Sequence, residues 1–205
     1  SFPTRRSSDL LKKEGVSISS KNLKISLLSH IIFPYHKDLD ELREKGRLEK
    51  IGTTKRGIGP CYVDKVSRCG IRLVDLLDPD IFKIKLKDNL KEKNPLFKQV
   101  FGVKPYSFNS IFKKYSQYAE KLRPYAIDAL DFLNKAYKSN KSILFEGAQG
   151  TFLDVDFGTY PFVTSSNTTA GSAAIGGGGG SLLKINKVLG VTKAYTTRVG
   201  QGPFP

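Results

Sequence analysis

Apolar positions along the chain recur with two different periods. Phe108, Ile111, Phe112, Tyr115, Tyr118, Ala119 and Leu122 stand at helical spacing, and Ile127, Leu130, Leu133 and Tyr137 continue the stripe past Pro124. The pattern predicts a helical insertion over about 78–140 with one apolar face, and an aromatic stripe of this kind reads as core before it reads as a binding surface. Shorter segments flank it. Leu23–Leu28 has a strand-like apolar pattern, Ser142–Phe145 reads as a short buried strand, and Lys187–Val199 alternates weakly as another. Leu10–Glu14 reads as the tail of a helix ended by Gly15. Asp38–Leu48 reads as a charged, exposed helix after a break at Pro34, and Cys61–Cys69 as a short helix ending at Gly70. Gly176–Gly180, five glycines in succession, is too flexible for a regular element. This rhythm of strand, loop and helix predicts an α/β fold, with a central, mostly parallel sheet, flanking helices and the inserted helical segment.

Composition narrows the class. The chain has 205 residues, 39% hydrophobic and 26% charged, as expected of a soluble globular protein. No apolar run approaches the roughly 20 residues of a membrane span, so no membrane partner is expected. Cys61 and Cys69 are the only thiols and imply no disulfide framework, which makes a reduced, cytoplasmic setting the expectation. The net charge of +15 admits an anionic partner, nucleic acid included. Most of the excess, however, lies in Lys-rich stretches (41–55, 83–104 and 113–141) that read as solvated helix faces, and the aromatics do not interleave with Lys and Arg as on a nucleic-acid platform. The first ten residues resemble the in-frame translation of a sequencing-adapter oligonucleotide. With no Met anywhere and an ending at Gly-Pro-Phe-Pro, this points to a fragment truncated at both ends, of which 11–205 is the native part.

Three constellations bear chemistry. Residues 145–171 are rich in Gly, Thr, Ser, Asn and Gln, yet anchored by Phe152, Leu153, Val155, Phe157, Tyr160, Phe162 and Val163, as a small-molecule pocket lining would be. Within it Gln149 offers a donor and an acceptor suited to a base edge, and the run Thr164–Thr169 reads either as a phosphate or ribose contact or as a helix cap. Asp154 and Asp156 admit a metal or acid–base pair, and equally turn capping or pairing with Arg198. The second constellation is Gly52–Arg68: glycines at 52, 57 and 59, hydroxyls at Thr53 and Thr54, and cations at Lys55, Arg56, Lys65 and Arg68 form a candidate phosphate cradle. The third, Ala194–Pro205, sets Arg198 near the end of an expected strand as an anion ligand. His30 and His36 have no Cys or carboxylate at ligand spacing and read as packing or surface residues.

Four motifs in order identify a resemblance: Gly57-Ile-Gly-Pro-x-Tyr62-x-x-Lys65-x-x-Arg68, Glu146-Gly-Ala-Gln-Gly, Gly158-Thr-Tyr-Pro and Val163-Thr-Ser-Ser-Asn. Together they resemble the adenylosuccinate synthetases, from roughly Leu11 to Pro205 and most loosely over 78–140. The resemblance implies a homodimeric, GTP- and magnesium-dependent ligase that joins L-aspartate to inosine monophosphate (IMP) in purine nucleotide synthesis. It implies Thr54 and Thr164 as ligands of the monophosphate, Gln149 as a contact to the base near its reacting oxygen, and Arg68 as a residue reaching the 5′-phosphate of the partner's nucleotide. Gln149 and Lys65 are then the catalytic candidates, Lys65 as electrostatic support. The family's Gly-Asp-Glu-Gly-Lys-Gly-Lys-like loop for GTP and magnesium does not occur in these residues, so the chain alone is expected to be inactive. A nucleotide-binding module without catalysis is the alternative.

Overall fold

The structure is a computed structural model that describes residues 13–177, 185–198 and 200–204. Strand β1 (Ile25–Ser26) pairs in parallel with β2 (Ala126–Ile127), Ile25 opposite Ala126. A parallel pair requires a long crossover, and here it is helical. Helix α1 (Pro34–Gly46) begins at Pro34 itself, because a fixed φ and a missing N–H cost nothing in a first turn; the expected break is a start. Helix α2 (Ile58–Val66) follows Gly57, and α3 (Leu73–Leu77) leads into α4 (Pro79–Pro95), whose first N–H groups are capped by Asp78. The last turn of α4 widens into a π-turn at Leu96–Val100, directly after Pro95. Helix α5 (Phe108–Leu122) is capped by Ser107, α6 (Ala129–Lys138) by Asp128, and α7 is the single turn Ser172–Gly176.

One core joins these helices. Phe33, Tyr35, Leu39, Ile71, Leu73, Leu76, Phe82, Leu86, Leu90, Phe97, Ile111 and Ala119 are buried together. Phe33 stacks on Tyr35 at 5.3 Å and meets Tyr115 at 4.4 Å, while Phe82 stacks on Phe112 at 5.2 Å. The aromatic stripe of α5 is therefore core, as its spacing predicts.

Several expectations fail in instructive ways. Ser142–Phe145 forms no strand: Leu144 is 85% exposed, and no described strand lies beside it to complete a ladder. Lys187–Val199 is likewise irregular and, up to Thr197, exposed, with Val191 at 98%, while Val199 lies outside the described residues. The stripe past Pro124 is not one helix, since Ile127 belongs to β2 and Leu130 points outward at 42% exposure. Leu10–Glu14 is described only at Lys13 and Glu14, which lead into Gly15 at φ +80°. Of the five glycines, Gly176 closes α7, and those from 178 on lie outside the described residues, as does the adapter-like decapeptide.

Candidate functional site

Two carboxylates one turn apart on α1 hold the Gly52–Gly57 loop at both ends. Glu44 Oε1 accepts the Gly52 N–H at 2.6 Å, and Asp40 Oδ2 accepts the Gly57 N–H at 2.9 Å. These are two of the N–H groups expected to cradle a phosphate; in the fold they are already bonded. Thr54 is exposed at the loop's tip. Gly57 has φ +76°, and a Cβ there would stand 2.8 Å from the backbone of His36 and Lys37, so the residue is small because α1 passes directly beneath it. Across the loop, Ile51 O accepts the Gln201 N–H at 3.0 Å, which docks the Gly200–Gly202 turn.

Helix α2 carries the signature cations. Lys65 Nζ lies 5.4 Å from the Tyr62 ring, and Arg68 follows the helix in a left-handed conformation at φ +64°. Both line a cavity of about 250 Å³ with His30, Gly70, Arg72 and Lys85. Four cations thus share this concavity with one neighbouring carboxylate, Asp75, which pairs with Lys85 at 2.8 Å and Arg72 at 3.9 Å. Burial, and then the charges of Lys65 and Arg72, push the His30 imidazole below its ordinary value, leaving it neutral in a cationic site.

The Gly/Thr-rich segment is organised around Asp154. Its carboxylate is fully buried and accepts N–H groups from Asp156 and Phe157 at Oδ1, and from Thr168 at 2.6 Å and Thr169 at 3.3 Å at Oδ2. Burial alone would raise this carboxyl, but the four backbone donors hold it at about 2. Asn167 bridges Asp154 and Asp156. The pair is therefore a turn cap. It does not fit a divalent ion, because the Asp154 oxygens are already occupied by donors.

This cap sets Thr164, whose N–H donates to Leu153 O at 2.8 Å, on the rim of a second cavity of about 260 Å³. Ile51, Val155, Tyr160, Pro161 and Val163 give that cavity an apolar wall, and Thr164, Ser165 and Arg47 its polar groups. The two constellations meet here: a Cβ at Gly59 would lie 3.3 Å from Ser165 Oγ. Gln149 lines neither cavity and is exposed at φ +64°. Arg198 bonds the carbonyls of Phe162, Gln201 and Pro203 and the Thr159 hydroxyl, so it staples two turns and neither pairs with Asp154 nor ends a strand.

The structure accordingly places Thr164 on one cavity and Lys65 with Arg68 on the other. Arg47, His30, Arg72 and Lys85 also line these cavities, and no local sequence pattern marks them as lining residues. Nor does one mark the partner of His36, whose Nε2 lies 2.8 Å from Asp64, 28 positions away. His30 and Arg72 meet through an isolated antiparallel bridge that no local pattern announces. Among the described residues, no three His, Cys, Asp or Glu side chains gather as metal ligands, and no helix is long and apolar enough to cross a membrane.

Known proteins give this geometry a family. The adenylosuccinate synthetase family model matches residues 6–205. An adenylosuccinate synthetase of Caldanaerobacter subterraneus is 55% identical over 95% of the chain, and one of Lactobacillus gasseri 53% identical over 96%. The structure of fully ligated adenylosuccinate synthetase from Plasmodium falciparum superposes with a TM-score of 0.83 at 39% identity, over 96% of the chain. In all three the chain spans 46% of the relative's own length. The fold, the four motifs in order and these matches along nearly all of its length agree: the chain belongs to the adenylosuccinate synthetase family.

Proposed function

We propose that these residues form the central part of a GTP-dependent ligase that joins L-aspartate to inosine monophosphate, releasing adenylosuccinate, GDP and phosphate. The observation that carries the reading is the second cavity. An apolar wall of Ile51, Val155 and Val163 suits the flat face of a nucleoside, while Thr164 and Ser165 hydroxyls and the Arg47 guanidinium suit its phosphate. Gln149, exposed on the loop that leads to this wall, supplies an amide that contacts the base beside its reacting oxygen. Fixed donors near that oxygen stabilise the negative charge it develops as it is phosphorylated.

Lys65 and Arg68 face a different concavity from Thr164, which supports Arg68 serving the monophosphate of a second copy in a homodimer. Among the described residues the Asp154–Asp156 pair is a turn cap, and in this reading magnesium and GTP are held by residues outside those described. Residues 11–205 then hold the monophosphate half of the chemistry and are inactive alone.

Calorimetric titration of the 205-residue chain tests the division. The expected result is measurable binding of inosine monophosphate, weakened about tenfold or more by Thr164→Ala, and none of GTP. Tight GTP binding would overturn the proposed division of sites, and failure of both ligands to bind would overturn the monophosphate site.

A further inference from the structure

Three polar side chains are buried where three helices meet, and neither cavity uses them. His36 of α1, Asp64 of α2 and Lys93 of α4 are 1%, 5% and 4% exposed. Asp64 Oδ2 lies 2.8 Å from His36 Nε2, and Oδ1 lies 3.0 Å from Lys93 Nζ. The Phe33 N–H donates to His36 Nδ1 at 2.9 Å, so that nitrogen is an acceptor and the ring proton sits on Nε2, directed at Asp64. Lys93 is held in turn by Asn89 Oδ1 at 2.9 Å and lies 5.6 Å from the Tyr35 ring. Lys93 falls on the apolar face of α4, in line with Phe82, Leu86, Leu90 and Phe97, where an aliphatic side chain would pack. Buried ions are not a good way to gain stability, since apolar residues of similar volume often do as well or better. What they do give is direction, because each carboxylate oxygen is fixed by a different helix.

We propose that the His36–Asp64–Lys93 network is a positioning device for Lys65 and Arg68, fixing the direction in which these two cations present themselves to an oxyanion. The side chain of Asp64 is anchored from both sides, and its own backbone carbonyl accepts the N–H groups of Cys69 at 3.1 Å and Gly70 at 3.0 Å. That carbonyl closes the turn in which Arg68 sits at φ +64°, and Lys65 is the residue next to it. One residue therefore ties the core to the turn that aims both cations. The inference rests on the reading that Arg68 meets a phosphate, and its test separates the two.

Asp64→Asn alone leaves Lys93 as an unpaired buried charge and reads chiefly as loss of folding. The informative variant is D64N/K93M, which removes both charges, keeps an acceptor for His36 and nearly keeps the volume. Made in the full 205-residue chain, it is expected to retain the wild-type melting temperature to within a few degrees. The 15N order parameters of the Arg68 and Cys69 amides should fall from the rigid range near about 0.85 to below about 0.6. Affinity for inorganic pyrophosphate, used as a simple oxyanion probe, should fall at least about tenfold. Arg68→Ala is the control for the phosphate reading. If it binds pyrophosphate as the wild type does, that reading falls, and the positioning role stands or falls on the order parameters. A folded double variant that keeps rigid amides at 68–69, or that keeps full pyrophosphate affinity while Arg68→Ala loses it, overturns the proposal.

Discussion

Five donors converge on the carboxylate of Asp154: four backbone N–H groups and the Asn167 amide. Removing the charge leaves five donors without their common acceptor, which loosens the turns that they close. The carboxyl titrates at about 2 in the folded chain against an ordinary 3.8. Folding is thus favoured by the ionised form, a contribution fully present above about pH 4 and lost as the pH falls through about 2. Hydrogen-exchange protection of the 153–169 amides should collapse over that window in the wild type. In Asp154→Ala the same amides should lose about tenfold or more of their protection already at neutral pH. Unchanged protection in the variant would show that the loop is held by Arg198 and the turn bonds alone. From the sequence, the Asp-x-Asp spacing left capping and metal binding equally open; only the count of donors around Asp154 decides between them.

Among elements, α2 is the one whose placement matters most for the site, and it is mounted by contacts remote in sequence. Asp40 and Glu44 lie 17 and 8 positions from the glycines they bind, and His36 lies 28 from Asp64, so no local pattern reports them. Gly57→Ala tests the mounting. It forces φ +76° on a residue with a Cβ and drives that atom to 2.8 Å from the α1 backbone, which has no flexible end to yield. A loss of about 2 kcal/mol or more is expected in chemical denaturation, with a loss of the proposed monophosphate binding beyond what unfolding explains. A variant of wild-type stability would mean that α1 and α2 part without cost. The helices themselves were legible because helical periodicity survives in a single sequence. The aromatic stripe of α5 fell where its spacing put it, whereas α2 runs over Ile58–Val66, three residues ahead of the expected Cys61–Cys69. Strands fared worse for a physical reason: Ile25–Ser26 pairs with residues about a hundred positions away, and Ser142–Phe145 has the composition of a buried strand but no described neighbour to bury it. Lys93 lies in a Lys-rich stretch whose pattern predicts a solvated face, yet it is buried, because a buried ion is marked only by its partner on another helix.

At the scale of the molecule, the core and the site-bearing segment are unevenly held. Every buried apolar side chain of the core lies between Ile31 and Ala119, whereas beyond residue 140 the only fully buried side chain among the described residues is Asp154. Leu144, Phe152, Phe157, Tyr160, Val188, Leu189 and Tyr195 are each more than half exposed, apolar surface that a stable monomer of this size seldom carries so densely. The chain spans 46% of the length of the relatives it matches. The stability of the two parts should then differ, because local protection follows buried apolar contact and not the number of turn hydrogen bonds. Hydrogen exchange on the isolated chain should find the amides of α1, α4 and α5 protected to near the global unfolding limit. Those of 185–198 should exchange within the dead time, and the 150–169 loop at an intermediate rate set by Asp154. Uniform protection from 31 to 198 would mean that the segment carrying Gln149 and Thr164 folds as one unit with the core. The proposed monophosphate site would then be fully formed in this chain, and added inosine monophosphate would not slow exchange in the loop. The uneven core predicts the opposite: the ligand orders the loop it binds, and added nucleotide raises protection at 150–169 while leaving α4 unchanged.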